Sequence, residues 1–372
     1  MKASPLAEAA TLGALLVDPV ALPAVAGWLR ADDFADPWHG QLYKVLAERA
    51  IARQPIDPQT VGLALRDQVG GQRADLVRVL GLLRVAPVPA QTERYAAMVL
   101  EGSLRREIAG QGVLLRASAL SVSLNFERRP LLAGTALVEQ ALIAGENRWQ
   151  LATGGLPSTE TVRAEFAPAL RNLDKALAAD KLLAAHPEMD VAQVRDRERQ
   201  LVAALICHPG KASQINSWLP PEALTDRRWR AVYAAVVELV EHQQPVDVVT
   251  VAWQVQANTR QYGPGPELTT LVRETNAAAI DDPGFYGRAV AADLVRRTAD
   301  TAARALLVAA DNPGIALPEL FQTAWTAIDD VRGAATGLPE RANEQATGRH
   351  LSAVRTDPTV QLSTELNGPV AG

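Results

Sequence analysis

The chain matches itself. At a constant offset of 190, and without a gap, residues 8–61 align with residues 198–251. Identical pairs include Leu15/Leu205, Pro19/Pro209, Trp28/Trp218, Leu29/Leu219, Asp36/Asp226, Tyr43/Tyr233 and Glu48/Glu238. The match runs on through Gln54/Gln244, Pro55/Pro245, Asp57/Asp247, Thr60/Thr250 and Val61/Val251. After one inserted residue it resumes at an offset of 191 with Leu80/Leu271, Tyr95/Tyr286, Arg105/Arg296 and Arg106/Arg297. An alanine-rich chain gives some identities by chance, but not Trp, Tyr, Pro and Asp held in register over such a length. Whatever the first unit folds into, the second must fold into again.

The repeated unit reads as helical. Val232, Tyr233, Val236, Val237 and Val240 return at the spacing that lays one apolar stripe along a helix, and Leu42, Tyr43, Leu46 and Ala50 do the same in the first copy. Gln-Pro-Ile-Asp-Pro-Gln-Thr at 54–60 and Gln-Pro-Val-Asp-Val-Val-Thr at 244–250 then close one helix and open the next. Asp57 and Asp247 are placed to cap orphan amides, and Pro58 suits a first helical position. The β-branched run Val246–Val251 could pass for a strand, but its twin Ile56–Val61 contains Pro58 and follows Pro55. Each copy ends as a long helix, a short break and another helix: 91–121 and 131–148 in the first, 284–310 and 316–332 in the second. A short break makes each pair an antiparallel hairpin.

The expected fold class is therefore all-α: two copies of a helical bundle plus hairpin, joined by a linker helix. The expected boundaries are 1–150 for the first copy, 151–194 for the linker, 195–332 for the second copy and 333–372 for a tail. Within the linker, Leu151–Pro157 is rich in Gly and Pro, and Thr161–Ala185 has the pattern of a helix. The tail has no aromatic residue and no apolar period, and is expected to be disordered.

Each copy resembles the N-terminal domain of replicative DnaB-type DNA helicases. The resemblance rests on an ordered series of short motifs, each seen twice. They are LGALLVDP and VAALICHP, LRADDFADPWHGQLYKVL and LPPEALTDRRWRAVYAAV, RQPIDPQTV and QQPVDVVTV, then RYAAMVLEGSLRREI and FYGRAVAADLVRRTA. The resemblance implies a small helical bundle followed by a hairpin, a domain that is not the motor. In that family it pairs head-to-head with a neighbour in a hexameric ring and helps to dock primase and loader proteins. The family continues into a RecA-like ATPase, whereas this chain carries a second N-terminal-like domain.

No catalytic site or cofactor site is expected. A phosphate-binding loop needs G-x-x-x-x-G-K-[ST]. The nearest string, His208-Pro209-Gly210-Lys211-Ala212, has Leu205 for the first glycine and Ala212 for the hydroxyl, and it lies where the other copy has a turn. The five histidines (His39, His186, His208, His242 and His350) are scattered, so no metal site is expected. A single cysteine, Cys207, forbids an internal disulfide. Gly263-Pro264-Gly265-Pro266 is a loop whose prolines lack the amides a phosphate cradle uses. The carboxylate pairs Asp32-Asp33 and Asp281-Asp282 read as helix caps, and Trp28, Trp218 and Trp229 as core.

Two features remain as candidates for interaction. Arg105-Arg106 and Arg296-Arg297 occupy matching places on the long hairpin helices. They read either as a solvated face bridged to nearby Glu, or as contacts to a partner or to nucleic-acid phosphates. The second feature is the apolar surplus of the hairpins: Leu131, Leu137, Val138 and Leu142 in the first, Leu320, Phe321 and Trp325 in the second. Two helices cannot bury all of this between themselves. The leading expectation is that the hairpins pack together within one chain as a pseudo-dimer.

On this reading the protein is a non-catalytic interaction module of DNA replication that engages a replicative helicase, a primase or a loader. The alternatives are a DNA-binding regulator and an accessory subunit of a split helicase whose ATPase is another chain. A net charge of −5 disfavours wholesale phosphate binding. The N-terminus has no signal-peptide pattern and no apolar run is long enough for a membrane span, so a cytoplasmic location is expected.

Overall fold

The computed structural model describes residues 4–69, 76–85, 88, 91–170, 174–186 and 188–338. Helices account for all the regular structure among them. The first copy comprises α1 (Ser4–Val17), α2 (Leu22–Ala26), α3 (Pro37–Ile51), α4 (Pro58–Val69), α5 (Leu76–Leu82), α6 (Thr92–Asn125) and α7 (Arg129–Ala152). The linker holds α8 (Ala167–Leu170) and α9 (Asp174–Ala184). The second copy comprises α10 (Val191–Cys207), α11 (Ala212–Asn216), α12 (Arg227–Glu241), α13 (Val248–Ala257), α14 (Thr259–Tyr262), α15 (Leu268–Ala277), α16 (Pro283–Asp311) and α17 (Leu317–Ala334). The order repeats element by element, except that α14 has no counterpart among the described residues.

Local chemistry sets the same boundaries twice. The carboxylates of Asp36 and Asp226 accept from the amides of Trp38 and Arg228 and start α3 and α12. Both helices then end on a left-handed residue at the same repeat position, Arg53 (φ 52°) and Gln243 (φ 55°). The next amide, of Gln54 or Gln244, reaches back five residues to the carbonyl of Arg49 or Leu239. This wraps up the carbonyls a helix end leaves free. Asp57 and Asp247 each accept two amides at the start of α4 and α13.

The head of each bundle is held by a buried carboxylate. Glu8 on α1 accepts from the amides of Ala35 and Asp36, and its twin Glu198 on α10 accepts from the amides of Thr225 and Asp226. Both side chains are fully enclosed. A buried carboxylate is costly unless it is hydrogen-bonded, and here it fixes the loop that starts the next helix. Their remaining partners differ: Glu8 meets His39 Nδ1 at 2.8 Å, whereas Glu198 takes the Thr225 hydroxyl at 2.9 Å. Tyr43 and Tyr233 complete the frame, donating to the carbonyls of Leu29 and Leu219 from within the core.

Burial alone would raise the Glu8 carboxyl, but the His39 hydrogen bond and the two amides outweigh it and leave it below its ordinary value of 4.5. A depressed carboxyl contributes stability that is complete above its unfolded value and is lost as pH falls through the folded one. Glu8→Gln should therefore flatten the acid limb of a stability-against-pH curve recorded below pH 4.5. An unchanged acid limb would show that Glu8 is not linked to folding.

The hairpins match the expected spacing, with longer helices. α6 runs to Asn125 and turns at Phe126, which is left-handed (φ 53°), and α16 and α17 are separated by residues 312–316. Two expectations are corrected at the chain's far end. The second hairpin continues to Ala334, and Ala335 and Leu338 are buried, so residues 333–338 belong to the folded body. The Cα of Gly337 is held so near Trp218 that an added Cβ would lie 2.5 Å from the indole ring. The rest of the tail expected to be disordered, 339–372, lies outside the described residues. No single helix among the described residues is long and apolar enough to cross a membrane.

Candidate functional site

The two hairpins pack against each other, and one hydrophobic core runs through both copies. The dominant contact is between the long helices α6 and α16, and α7 packs on α17 beside it. The pairing is antiparallel. Arg105, in the first half of α6, donates to the carbonyls of Asn312 and Ile315, just past the far end of α16 (3.2 and 2.6 Å). Mid-helix, Arg116 Nε is 2.7 Å from Asp300. At the opposite end, the Phe126 ring stands edge-on to Phe285, 6.1 Å between centroids.

The helices approach closely at Gly112. A Cβ built there would sit 3.0 Å from the Cα of Ala303, so two small residues let the backbones touch. Gly145 plays a similar part between α7 and α17, where an added Cβ would lie 3.3 Å from the Phe321 ring. Gly112→Val should cost about 1–3 kcal/mol, the usual price of overpacking a closed contact. Gly110→Ala, two residues away with no neighbour within 4 Å of its Cβ, should instead gain up to about 1 kcal/mol of helix propensity. Urea unfolding of the two variants should thus move in opposite directions, and a shared direction would refute close packing at Gly112.

The interaction residues singled out in the sequence fall at this seam or behind it. Leu131, Val138, Leu142, Leu320 and Phe321 are buried, and Leu137 is half-buried. Half-buried Trp325 donates its indole N–H to Glu146 of the other copy at 2.8 Å. The arginine pairs divide by role. Arg105 is bridged to Glu101 and caps the other hairpin's loop. Arg106 and Arg297 make the same intracopy bond, donating to the carbonyls of Asp33 and Ala223 at equal repeat positions. Arg296 is half-buried beside Asp293, whose carboxyl burial raises while Arg197, Arg297 and Arg296 oppose the rise. Three of the four guanidinium groups are therefore spent on this chain's own carbonyls.

Other cross-copy contacts gave no signal in the sequence. Arg332 on α17 pairs with Glu139 and with the Thr135 hydroxyl on α7. Arg116–Asp300 has no twin across the seam, because the counterparts of Arg116 and Asp300 are Leu307 and Ala109. Asp33, read as a helix cap, does accept from the Arg30 amide at 2.6 Å, but it is also buried against Arg148 and takes the Ser103 hydroxyl at 2.8 Å.

Outside the seam, each copy presents an apolar face on equivalent helices. In the first, Leu63 on α4 and Leu76 and Leu80 on α5 are exposed; in the second, Trp253 on α13 and Leu268 and Val272 on α15. Trp253, which occupies the repeat position of Leu63, is 74% exposed. Among the described residues, no three His, Cys, Asp or Glu side chains gather to hold a metal. The string that came nearest to a phosphate loop follows the end of α10, forms a 3-10 turn over Pro209–Lys211 and leads into α11. Cys207 is half-buried with its thiol on the Thr275 carbonyl, and burial pushes that thiol up, away from the thiolate a nucleophile needs.

The sequence pattern of the DnaB-like helicase N terminal domain matches residues 1–101 and again 191–290. The chain belongs to that family. A search among curated proteins found no match. Two matched spans in one polypeptide establish the tandem duplication of the DnaB-like N-terminal domain. The matched region is that domain and not the ATPase. Most of the seam, including Gly112, Arg116, Glu139, Asp300 and Phe321, lies outside the matched spans. The inter-copy contact is thus built largely by residues that follow each matched span.

Proposed function

We propose that the protein is a non-catalytic docking module of DNA replication: a DnaB-like N-terminal pair, self-sealed in one chain, that engages a replicative helicase, a primase or a loader in the cytoplasm. The observation that supports it is the cross-copy seam. The hairpin surface through which separate chains would pair is filled from within, so the module needs no partner chain to cover it. What it offers outward is the apolar face carried twice, around Leu63 and around Trp253. A molecule with two such faces binds a divalent or ring-shaped partner with a gain in effective concentration over either face alone.

The test is binding of the full chain to the purified helicase, primase and loader of its host, followed by calorimetry, with DNA and ATP as separate arms. Saturable binding to one of the three, weakened at least tenfold by Trp253→Ala together with Leu63→Ala, is the expected result. Binding only to DNA, with an affinity that falls steeply as salt rises, would favour the regulator reading. The internal engagement of Arg105, Arg106 and Arg297 weighs against it. Binding solely to a separate ATPase chain, with unwinding only in the mixture, would make the protein the accessory half of a split helicase.

A further inference from the structure

The two long hairpin helices are not equally covered. Along α6, no residue between 109 and 123 is exposed. Along the matching stretch of α16, Thr301, Arg304, Ala305, Leu307 and Val308 are exposed, Leu307 at 59% and Val308 at 70%. Two neighbours of α6 have no counterpart on α16. One is the linker helix α9, and the other is α17, which packs on α6 as well as on α16, while α7 makes no comparable contact with α16. The second hairpin therefore keeps an open outer flank, a groove of about 630 Å³ between α16 and α17.

Two rows of side chains wall this groove. On α16 they are Leu294, Thr298, Thr301 and Ala305, a three-and-four spacing that Val308 continues. On α17 they are Thr323, Thr326 and Asp330, a spacing that Glu319 continues in the other direction. The hydroxyls of Thr298, Thr323 and Thr326 each donate to a carbonyl four residues back on their own helix. With those protons engaged, the middle of the groove meets a ligand chiefly as apolar surface. Charge stands at both ends of the α17 row. Glu319 and Asp330 are exposed, and neither forms an ion pair among the described residues. They are eleven positions apart, about 16 Å along the helix. Arg297 also lines the groove, but its guanidinium donates to the Ala223 carbonyl at 2.8 Å, within the second copy.

We propose that this groove receives one helix of a partner protein, apolar along the stripe that meets α16 and carrying two basic residues, eleven positions apart, toward Glu319 and Asp330. The inference rests on the docking reading above and adds to it a further surface and the chemistry of what fits there. A helix is selected because each wall is itself a helical row, and a third helix fills such a groove by seating its side chains between the two rows. Basic residues on the α17 side are selected because two exposed carboxylates without cations complement them. Arg304, exposed on α16 beside Ala305, sets the orientation, since a basic side chain turned toward that wall would meet a like charge. The small side chains of Thr301, Ala302, Ala305 and Ala327 leave room for leucines.

The test uses the full chain and a labelled synthetic helix of about 18 residues, long enough for the whole pattern. It carries a stripe of leucine and alanine, with two lysines eleven positions apart. One control peptide moves the lysines to seven positions apart, and another replaces them with glutamate. Fluorescence anisotropy should show the first peptide binding at least tenfold more tightly than either control. Glu319→Lys with Asp330→Lys should reverse the preference in favour of the glutamate peptide, and Val308→Asp should weaken the first peptide at least tenfold. All three positions are exposed, so the fold tolerates the changes. No binding, equal affinity for the three peptides, or an unchanged order in the charge-reversed chain would overturn the proposal. So would weakening by Trp253→Ala with Val308→Asp silent, which would put the peptide on the face already assigned to docking and leave that reading standing. The docking reading fails by a different result, the absence of binding to helicase, primase and loader.

Discussion

Arg148→Met should lower the stability of the full chain by about 3–5 kcal/mol, the usual cost of leaving a buried carboxylate without its cation. Arg148 lies on α7 and reaches into the head of the first bundle. There its guanidinium pairs with Asp33, donates to the Trp28 carbonyl at 2.9 Å and faces Glu107 at 3.4 Å. Asp33 and Arg148 are both almost fully buried. Removing the arginine strands Asp33 with only the Ser103 hydroxyl and the Arg30 amide. Glu107, already pushed above its ordinary value by burial, loses the cation that most opposes the push. The double change Asp33→Leu, Arg148→Met should recover much of the loss, because an apolar pair of similar size is often no worse than a buried ion pair. Urea unfolding at neutral pH separates the cases. A single variant within 1 kcal/mol of the parent would mean the pair is solvated and carries little.

The same pair marks the limit of what the sequence discloses. The helices, their caps and the duplication are local or periodic properties, so Asp36, Asp57 and their twins announced themselves at fixed offsets. Asp33 and Arg148 are 115 residues apart, and the repeat position of Asp33 holds Ala223 in the second copy. That copy secures its hairpin differently: Arg197 grips Asp293 through two bonds of 2.8 and 2.9 Å. Their counterparts in the first copy are Ala7 and Gly102. The apolar scaffold was kept in duplicate while the buried ion pairs diverged, so matching identities reveals the one and hides the other. Glu8 and Glu198 lie between these cases. Their identity was visible as a leading match, but only the fold shows two enclosed carboxylates holding the start of α3 and α12.

The inter-copy seam was legible as a need rather than as a contact. The surplus of Leu131, Val138, Leu142, Phe321 and Trp325 required a cover, and each hairpin supplies the other's. The polar bonds that fix their register, Arg116–Asp300 and Trp325–Glu146, join non-equivalent residues. Pseudo-symmetric halves have therefore become specialised for each other. Such divergence is expected once two units are tethered, because the tether holds the partner at a high effective concentration and no longer requires each surface to be self-complementary.

That specialisation gives the second large effect. Residues 1–152 alone expose the face of α6 that α16 covers, and should associate into dimers whose population rises with concentration. The full chain should keep the mass of one molecule over the same range. The fragment's dimer is weaker than the native seam for identifiable reasons. Arg116 would face Ala109, the repeat counterpart of Asp300, and so lose its ion pair. Close approach at Gly112 would have to form between two glycine-bearing helices. Reintroducing the acid with Ala109→Asp should tighten the fragment dimer, since a two-fold antiparallel pairing would then offer Arg116 two carboxylates. Sedimentation equilibrium of the fragment, the Ala109→Asp fragment and the full chain decides the matter. A helical fragment that stays monomeric at every concentration would show that the hairpin face does not seek a partner. Association of the fragment, with a monomeric full chain, would mean that the duplication has closed a dimerisation surface. A chain closed in this way has no hairpin face left to exchange, so docking of the kind proposed above would use its remaining faces.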